Sequence, residues 1–153
     1  MNKLTKRLAA IGAAMTMAVS MMSMGASAAE QTKGWAVHYY SYAPTNSNVY
    51  TSTAKFYYDG SNITKYRRIC SAFTNNTNPD GSVPYVKYWG YVMKPDNTTA
   101  GTGFSPRYFY DKENNGTYYS LTVSVQDGQH LVVKHNLQNV HANISASGQT
   151  KVK

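Results

Sequence analysis

Cysteine is almost absent: Cys70 is the only one in 153 residues. A lone thiol excludes the internal disulfide framework that staples most small secreted eukaryotic domains. Acids are scarce, with 7 Asp and Glu against 15 Lys and Arg. Beyond Ala29 no window repeats apolar residues at i, i+3, i+4 and i+7 over a helical length. That excludes a helical bundle. The sequence has no His-Glu-x-x-His, no paired Cys/His zinc spacing, no Gly-x-Ser-x-Gly elbow and no phosphate-binding glycine loop. The corresponding metalloprotease, zinc-site, hydrolase and nucleotide-binding classes fall with those motifs. No cofactor and no metal site is expected.

What is present begins with a leader. Lys3, Lys6 and Arg7 form a positive n-region, followed by an uncharged Ala- and Met-rich run from Leu8 to Met24. Thr16, Ser20 and Ser23 interrupt the run, which makes it marginal for spanning ~30 Å of hydrocarbon. Ala26 and Ala28 are the small residues that signal peptidase accepts. Residues 1–28 are therefore expected as a removed signal peptide and 29–153 as one domain, secreted or loosely associated with the cell wall. Removing Lys3, Lys6 and Arg7 leaves 12 of the 15 basic residues against 7 acids, a net of +5. Export without disulfides points to a Gram-positive bacterium.

The mature chain has the periodicity of strands. Short runs of β-branched and aromatic residues alternate with turn signals. Strands are expected near Trp35–Tyr42, Val49–Tyr58, Ile63–Phe73, Tyr85–Met93, Phe104–Tyr110, Thr117–Gln126, Gln129–Leu137 and Val140–Ala146. Asp59-Gly60 and Asp127-Gly128 suit tight hairpin turns, and Asn78-Pro-Asp-Gly81, Lys94-Pro-Asp-Asn97 and Asp111–Gly116 suit longer ones. Thr117–Leu137 is expected as a hairpin. Strands at this spacing predict an all-β antiparallel sandwich of seven or eight short strands, with a small Greek-key or up-and-down barrel as the alternative.

Catalytic chemistry finds little support. Glu30 lies at the new N-terminus, and every other acid falls in an expected turn. Glycoside hydrolysis needs two carboxylates on a rigid frame, and no strand face carries two. His135 shares a strand face with Leu131, Val133 and Leu137 and reads as a core or rim residue. It would converge with His141 if Gln138-Asn139 were a tight turn, but without a third ligand. Cys70 alternates with Tyr66, Arg68 and Ala72 and reads as a small packing side chain. Asp111-x-Glu113-x-Asn115-Gly116 echoes a calcium loop but lacks its bidentate glutamate, Thr122 standing in that place. No enzyme is expected.

Tyrosine is the feature left over. All 14 lie in the mature chain with Trp35 and Trp89, and three adjacent pairs occur, Tyr39-Tyr40, Tyr57-Tyr58 and Tyr118-Tyr119. Neighbouring strand residues point to opposite faces, so one ring of each pair must leave the core. In Tyr85–Met93 both faces are apolar. Tyr85, Trp89, Tyr91 and Met93 share one, and Val86, Tyr88 and Val92 share the other. An exposed aromatic platform is expected, with Tyr88, Trp89, Tyr91, Arg107 and Tyr108 as candidate ligand contacts. Candidate partners are a cell-wall polymer or an anionic membrane surface. Nucleic acid is not expected for an exported chain.

A short basic exported β-domain rich in Asn, Tyr and Ser resembles in type the lactococcin 972-like bacteriocins. The string Lys55-Phe-Tyr-Tyr-Asp59 loosely resembles their aromatic ending, though it lies mid-chain. The aromatic pairs and the missing acids point to a non-enzymatic module binding envelope glycan or another surface ligand; export, positive charge and small size point to the alternative, a bacteriocin-like antagonist of a competitor's envelope. The mass of the exported protein checks the leader. The mature chain should begin at Ala29, with Glu30 as the next choice, and a retained leader would refute the assignment.

Overall fold

The computed structural model describes residues 29–42, 47–75 and 77–153. The expected leader, residues 1–28, lies outside them.

One-sided apolar alternation drives strands to pack in layers. Nine form: β1 (Gln31–Tyr39), β2 (Thr51–Tyr57), β3 (Ile63–Phe73), β4 (Tyr85–Met93), β5 (Thr99–Phe109), β6 (Glu113–Asn114), β7 (Tyr119–Val125), β8 (His130–Gln138) and β9 (Ile144–Val152). No α-helix occurs among the described residues. One sheet has the order β1-β9-β3-β6, with β7 also pairing β3, and the other has the order β2-β8-β4-β5. All pairings are antiparallel. The two sheets pack face to face as the expected sandwich, with β1 lying against β2 at one edge and β5 against β7 at the other.

Most connections cross from one sheet to the other, and this corrects the expected hairpins. β7 pairs β3 while β8 pairs β2 and β4, so Thr117–Leu137 is a tight crossover between layers. Its turn is as tight as expected: Gly128 has φ 74° and the Gln129 N–H reaches the Gln126 carbonyl at 2.9 Å. The Asp59-Gly60 turn likewise carries the chain from β2 to β3 in the opposite sheet. Alternation shows which residues face the interior. Two strands facing each other across a core satisfy it as well as two strands side by side. Among the described residues Lys94-Pro-Asp-Asn97 alone joins two consecutive strands that pair with each other, β4–β5, with Asn97 at φ 62°.

The interior is aromatic. Trp35 stacks on His135 (4.5 Å, 10°) and on Phe109 (5.6 Å). Tyr88 stacks on Phe109 at 4.8 Å, and Tyr66 on Phe104 at 4.0 Å. Around them Val37, Phe56, Val86, Val92, Val125, Leu131, Val133, Ile144 and Val152 are buried.

The last strand was only partly visible in sequence. Expected to end at Ala146, β9 continues to Val152 between β1 and β3. Its inward residues are Ile144, Ala146, Gly148, Thr150 and Val152, too small and polar to show as an apolar run. Gly148 has a packing reason. It faces a register shift in β3 between Cys70 and Ala72, and a Cβ there would run into the Ile69 carbonyl oxygen and crowd the Trp35 ring. Gly148→Ala should cost about 1–3 kcal/mol of unfolding free energy, read by denaturant titration. Gly34→Ala, whose Cβ would meet nothing nearer than the Gly148 carbonyl oxygen at 3.8 Å, is the control and should change far less.

Candidate functional site

The outward face of the sheet β2-β8-β4-β5 carries the surface chemistry. Directly opposed residues of an antiparallel ladder point to the same side. β4 therefore presents Tyr85, Lys87, Trp89, Tyr91 and Met93 outward, against Gln138, Asn136, Lys134, Val132 and His130 of β8. β2 adds Thr51, Thr53, Lys55 and Tyr57. β5 adds Tyr108 opposite Lys87, and Thr102 and Thr99 opposite Tyr91 and Met93. None of these residues is an acid.

The rings and charges interact within the face. Lys87 Nζ lies 5.4 Å from the Trp89 ring centre, and Lys134 Nζ 5.7 Å from that of Tyr91. These are cation–π distances. Tyr57, 57% exposed, stacks on His130 at 5.0 Å. Burial, and then the Lys55 charge, push the His130 imidazole below its ordinary value. At the β5 end Tyr85 meets Tyr108 edge-on at 5.4 Å and Tyr110 at 5.7 Å. Val132 is buried on this outer side rather than in the central core, so neighbouring side chains of the face cover it. Near the β2 end, Lys55, Tyr57, His130, Pro95, Gln129 and the acid Asp127 line a shallow open depression of about 360 Å³.

Of the candidate contacts, Trp89, Tyr91 and Tyr108 lie on this face. Tyr88 does not. It is 1% exposed and points into the sandwich with Val86 and Val92, because its position in the strand alternation is opposite to that of Trp89. Arg107 also leaves the platform: it pairs with Tyr88 across the strands and meets the Tyr66 hydroxyl on the opposite sheet. Sequence reasoning missed Lys55, Tyr57, Lys87, Lys134 and Tyr110. The signal was available, since Lys55 and Tyr57 alternate with the buried Ala54 and Phe56. What joins them to β4 is strand order, which one sequence does not show.

The other reactive groups have structural roles. Asp59, Asp80 and Asp96 each accept the backbone N–H two residues on, from Ser61, Ser82 and Thr98, as Asx turns require. Glu113 corrects the expectation that it lies in a turn. It sits in β6 and pairs with Arg68 at 2.6 Å. Arg68 also donates to the Tyr88 hydroxyl and lies over the Tyr88, Phe109 and Tyr119 rings at 5.3–5.6 Å. Burial pushes the Cys70 thiol up to about 12, and the Asp111 and Glu113 charges add to this. It is therefore a poor nucleophile. His141 pairs with Asp80 at 2.7 Å on the surface while His135 is buried, so the two do not converge. Among the described residues no three His, Cys, Asp or Glu side chains group as a metal set. No family model matches the chain, and no curated protein matches it.

His135 yields a pH prediction. Burial pushes its imidazole down from 6.5 to about 3, opposed only in part by the Ser52 backbone. The fold holds the neutral form, so its contribution is complete above pH 6.5 and is lost as pH falls through 6.5 toward 3. Unfolding free energy should decline across that window. His135→Phe, which keeps a ring on Trp35, should flatten the decline, and an unchanged slope would refute the assignment.

Proposed function

We propose that the protein acts outside the cell as a non-enzymatic binding module whose outer aromatic sheet face holds the sugar rings of a cell-envelope glycan. One observation carries the reading. Tyr57, Tyr85, Trp89, Tyr91 and Tyr108 lie on a single face with Lys55, Lys87 and Lys134, and no carboxylate stands among them. Pyranose rings expose flat C–H faces that stack on aromatic rings. A rigid aromatic surface of this kind binds with little loss of side-chain entropy.

Three further points support binding over catalysis. The ladder residues of the face include no carboxylate, and the shallow depression at its margin brings one, Asp127, without a second acid to work with it. Cys70 and His135 are buried, away from any substrate on it. Asp59, Asp80 and Asp96 hold turns. The leader supports an extracellular place of action. The lysines also suit an antagonist that settles on a competitor's envelope, and growth inhibition by the purified protein separates that use from simple attachment.

The test is retention on purified Gram-positive cell wall. Trp89→Ala and Tyr91→Ala should each weaken retention about tenfold, or ~1.4 kcal/mol. Tyr42→Ala, at a 96% exposed ring outside this sheet, should leave it unchanged. A wild-type protein that stays wholly in solution refutes the proposal.

A further inference from the structure

The charged residues on this face are ordered, and the order points to a ligand class. Lys55 on β2 stands opposite Val132 on β8, and Lys134 is the next outward residue along β8. Lys134 stands opposite Trp89 on β4, and Lys87 is the next outward residue along β4. The three lysines therefore step diagonally over three adjacent strands, one outward position per strand. Each step is roughly 7–8 Å. A second diagonal runs parallel beside it: Tyr57 on β2, Val132 on β8, Trp89 on β4 and Tyr108 on β5. A stripe of positive charge is thus flanked by a stripe of rings and one buried valine.

The stripe is electrostatically incomplete. The ion pairs among the described residues join Arg68 to Glu113, His141 to Asp80 and Lys151 to Glu30, and none involves these lysines. Two of the three instead lie over ring faces. Like charges gathered without counter-charge repel, and a ligand that supplies anions at the same spacing removes that cost.

Building on the glycan reading above, we propose that the ligand is a linear anionic wall polymer, of sugar or polyol units joined by phosphodiesters. It would lie along the diagonal with successive phosphates at Lys55, Lys134 and Lys87 and its rings on Tyr57, Trp89 and Tyr108. A repeating chain fits because the charges are in line and evenly stepped. A lipid surface fits less well. The rings lie half-buried on the sheet face, and among the described residues there is no amphipathic helix to enter an acyl layer.

The test uses the mature chain and two preparations of one Gram-positive wall, intact and stripped of its phosphate polymer by acid extraction. Retention on intact wall should be at least tenfold stronger. Its log–log salt dependence should have a slope of about −2, as for three phosphates neutralised on a flexible polyanion. The triple variant Lys55→Gln, Lys87→Gln, Lys134→Gln should lose both the preference and the slope. The exposed triple Lys33→Gln, Lys94→Gln, Lys112→Gln changes net charge equally and should keep them. Equal, salt-insensitive retention on both walls would overturn this inference and leave the glycan reading standing, whereas no retention on either would overturn both. Tighter binding to phosphatidylglycerol vesicles or to a single-stranded oligonucleotide than to intact wall would overturn it as well.

Discussion

The pairing of β4 with β8 along their full lengths is the constraint on which the rest depends. Nine consecutive ladder partners, Tyr85↔Gln138 to Met93↔His130, fix which side every residue of both strands faces. On one side they give the core Val86, Tyr88, Val92, Leu131, Val133, His135 and Leu137. On the other they give the platform. A slip of one residue would put Trp89 and Lys134 into the interior and Tyr88 and His135 into water. Burial of the inner set therefore positions the outer one. Gly90 belongs to the same arrangement, because a Cβ there would enter the ring of Phe104, which fills the space over it.

Besides the buried His135 and Thr150, the packed strands hold a partly buried polar group centred on Arg68. A guanidinium withdrawn from water is costly unless its charge is met. Here the Glu113 carboxylate, the Tyr88 hydroxyl and three aromatic faces surround it, while its buried Nε has no hydrogen-bond partner. That requirement accounts for β6, a two-residue strand whose chief role is to bring Glu113 beside β3. It also ties the two sheets together, since Arg68 belongs to β3 and Tyr88 to β4. The arrangement leaves Cys70, opposite Glu113 in the ladder, in an environment that disfavours its thiolate.

The sequence showed strands well and their partners poorly. Ile63–Phe73 and Tyr85–Met93 agree with β3 and β4 at both ends, because the apolar and aromatic alternation gives way to Thr74-Asn75-Asn76 and to Lys94-Pro95. β9 was cut short because a strand buried between two neighbours can be lined with Gly and Thr. β6 was missed because two residues carry no period. The crossover at Asp127-Gly128 read as a hairpin because turn chemistry specifies how sharply a chain bends, not whether the next strand joins the same layer. The site follows the same division. Trp89 and Tyr91 were legible as one face from alternation, whereas Tyr108 and the three lysines join them only through strand order.

What each face of the sandwich can do follows from the groups it presents. Catalysis of hydrolysis needs opposed acid and base groups in a site that excludes water. The ladder residues of this platform include no carboxylate, and its titratable groups are lysines, tyrosines and the buried His130. In the reading proposed above, such a surface holds a ring beside an anion. Because lysine stems fold over the rings, charge and stacking are coupled: a ligand that draws Lys87 or Lys134 away uncovers the Trp89 or Tyr91 face it had shielded. A phosphate arriving at the lysine and a ring arriving at the uncovered aromatic therefore favour each other. A neutral sugar must displace the ammonium group without compensation, and a small anion leaves the ring bare. Only a ligand carrying both groups at the right separation gains from both, and that coupling would let a flat face without a deep pocket be selective.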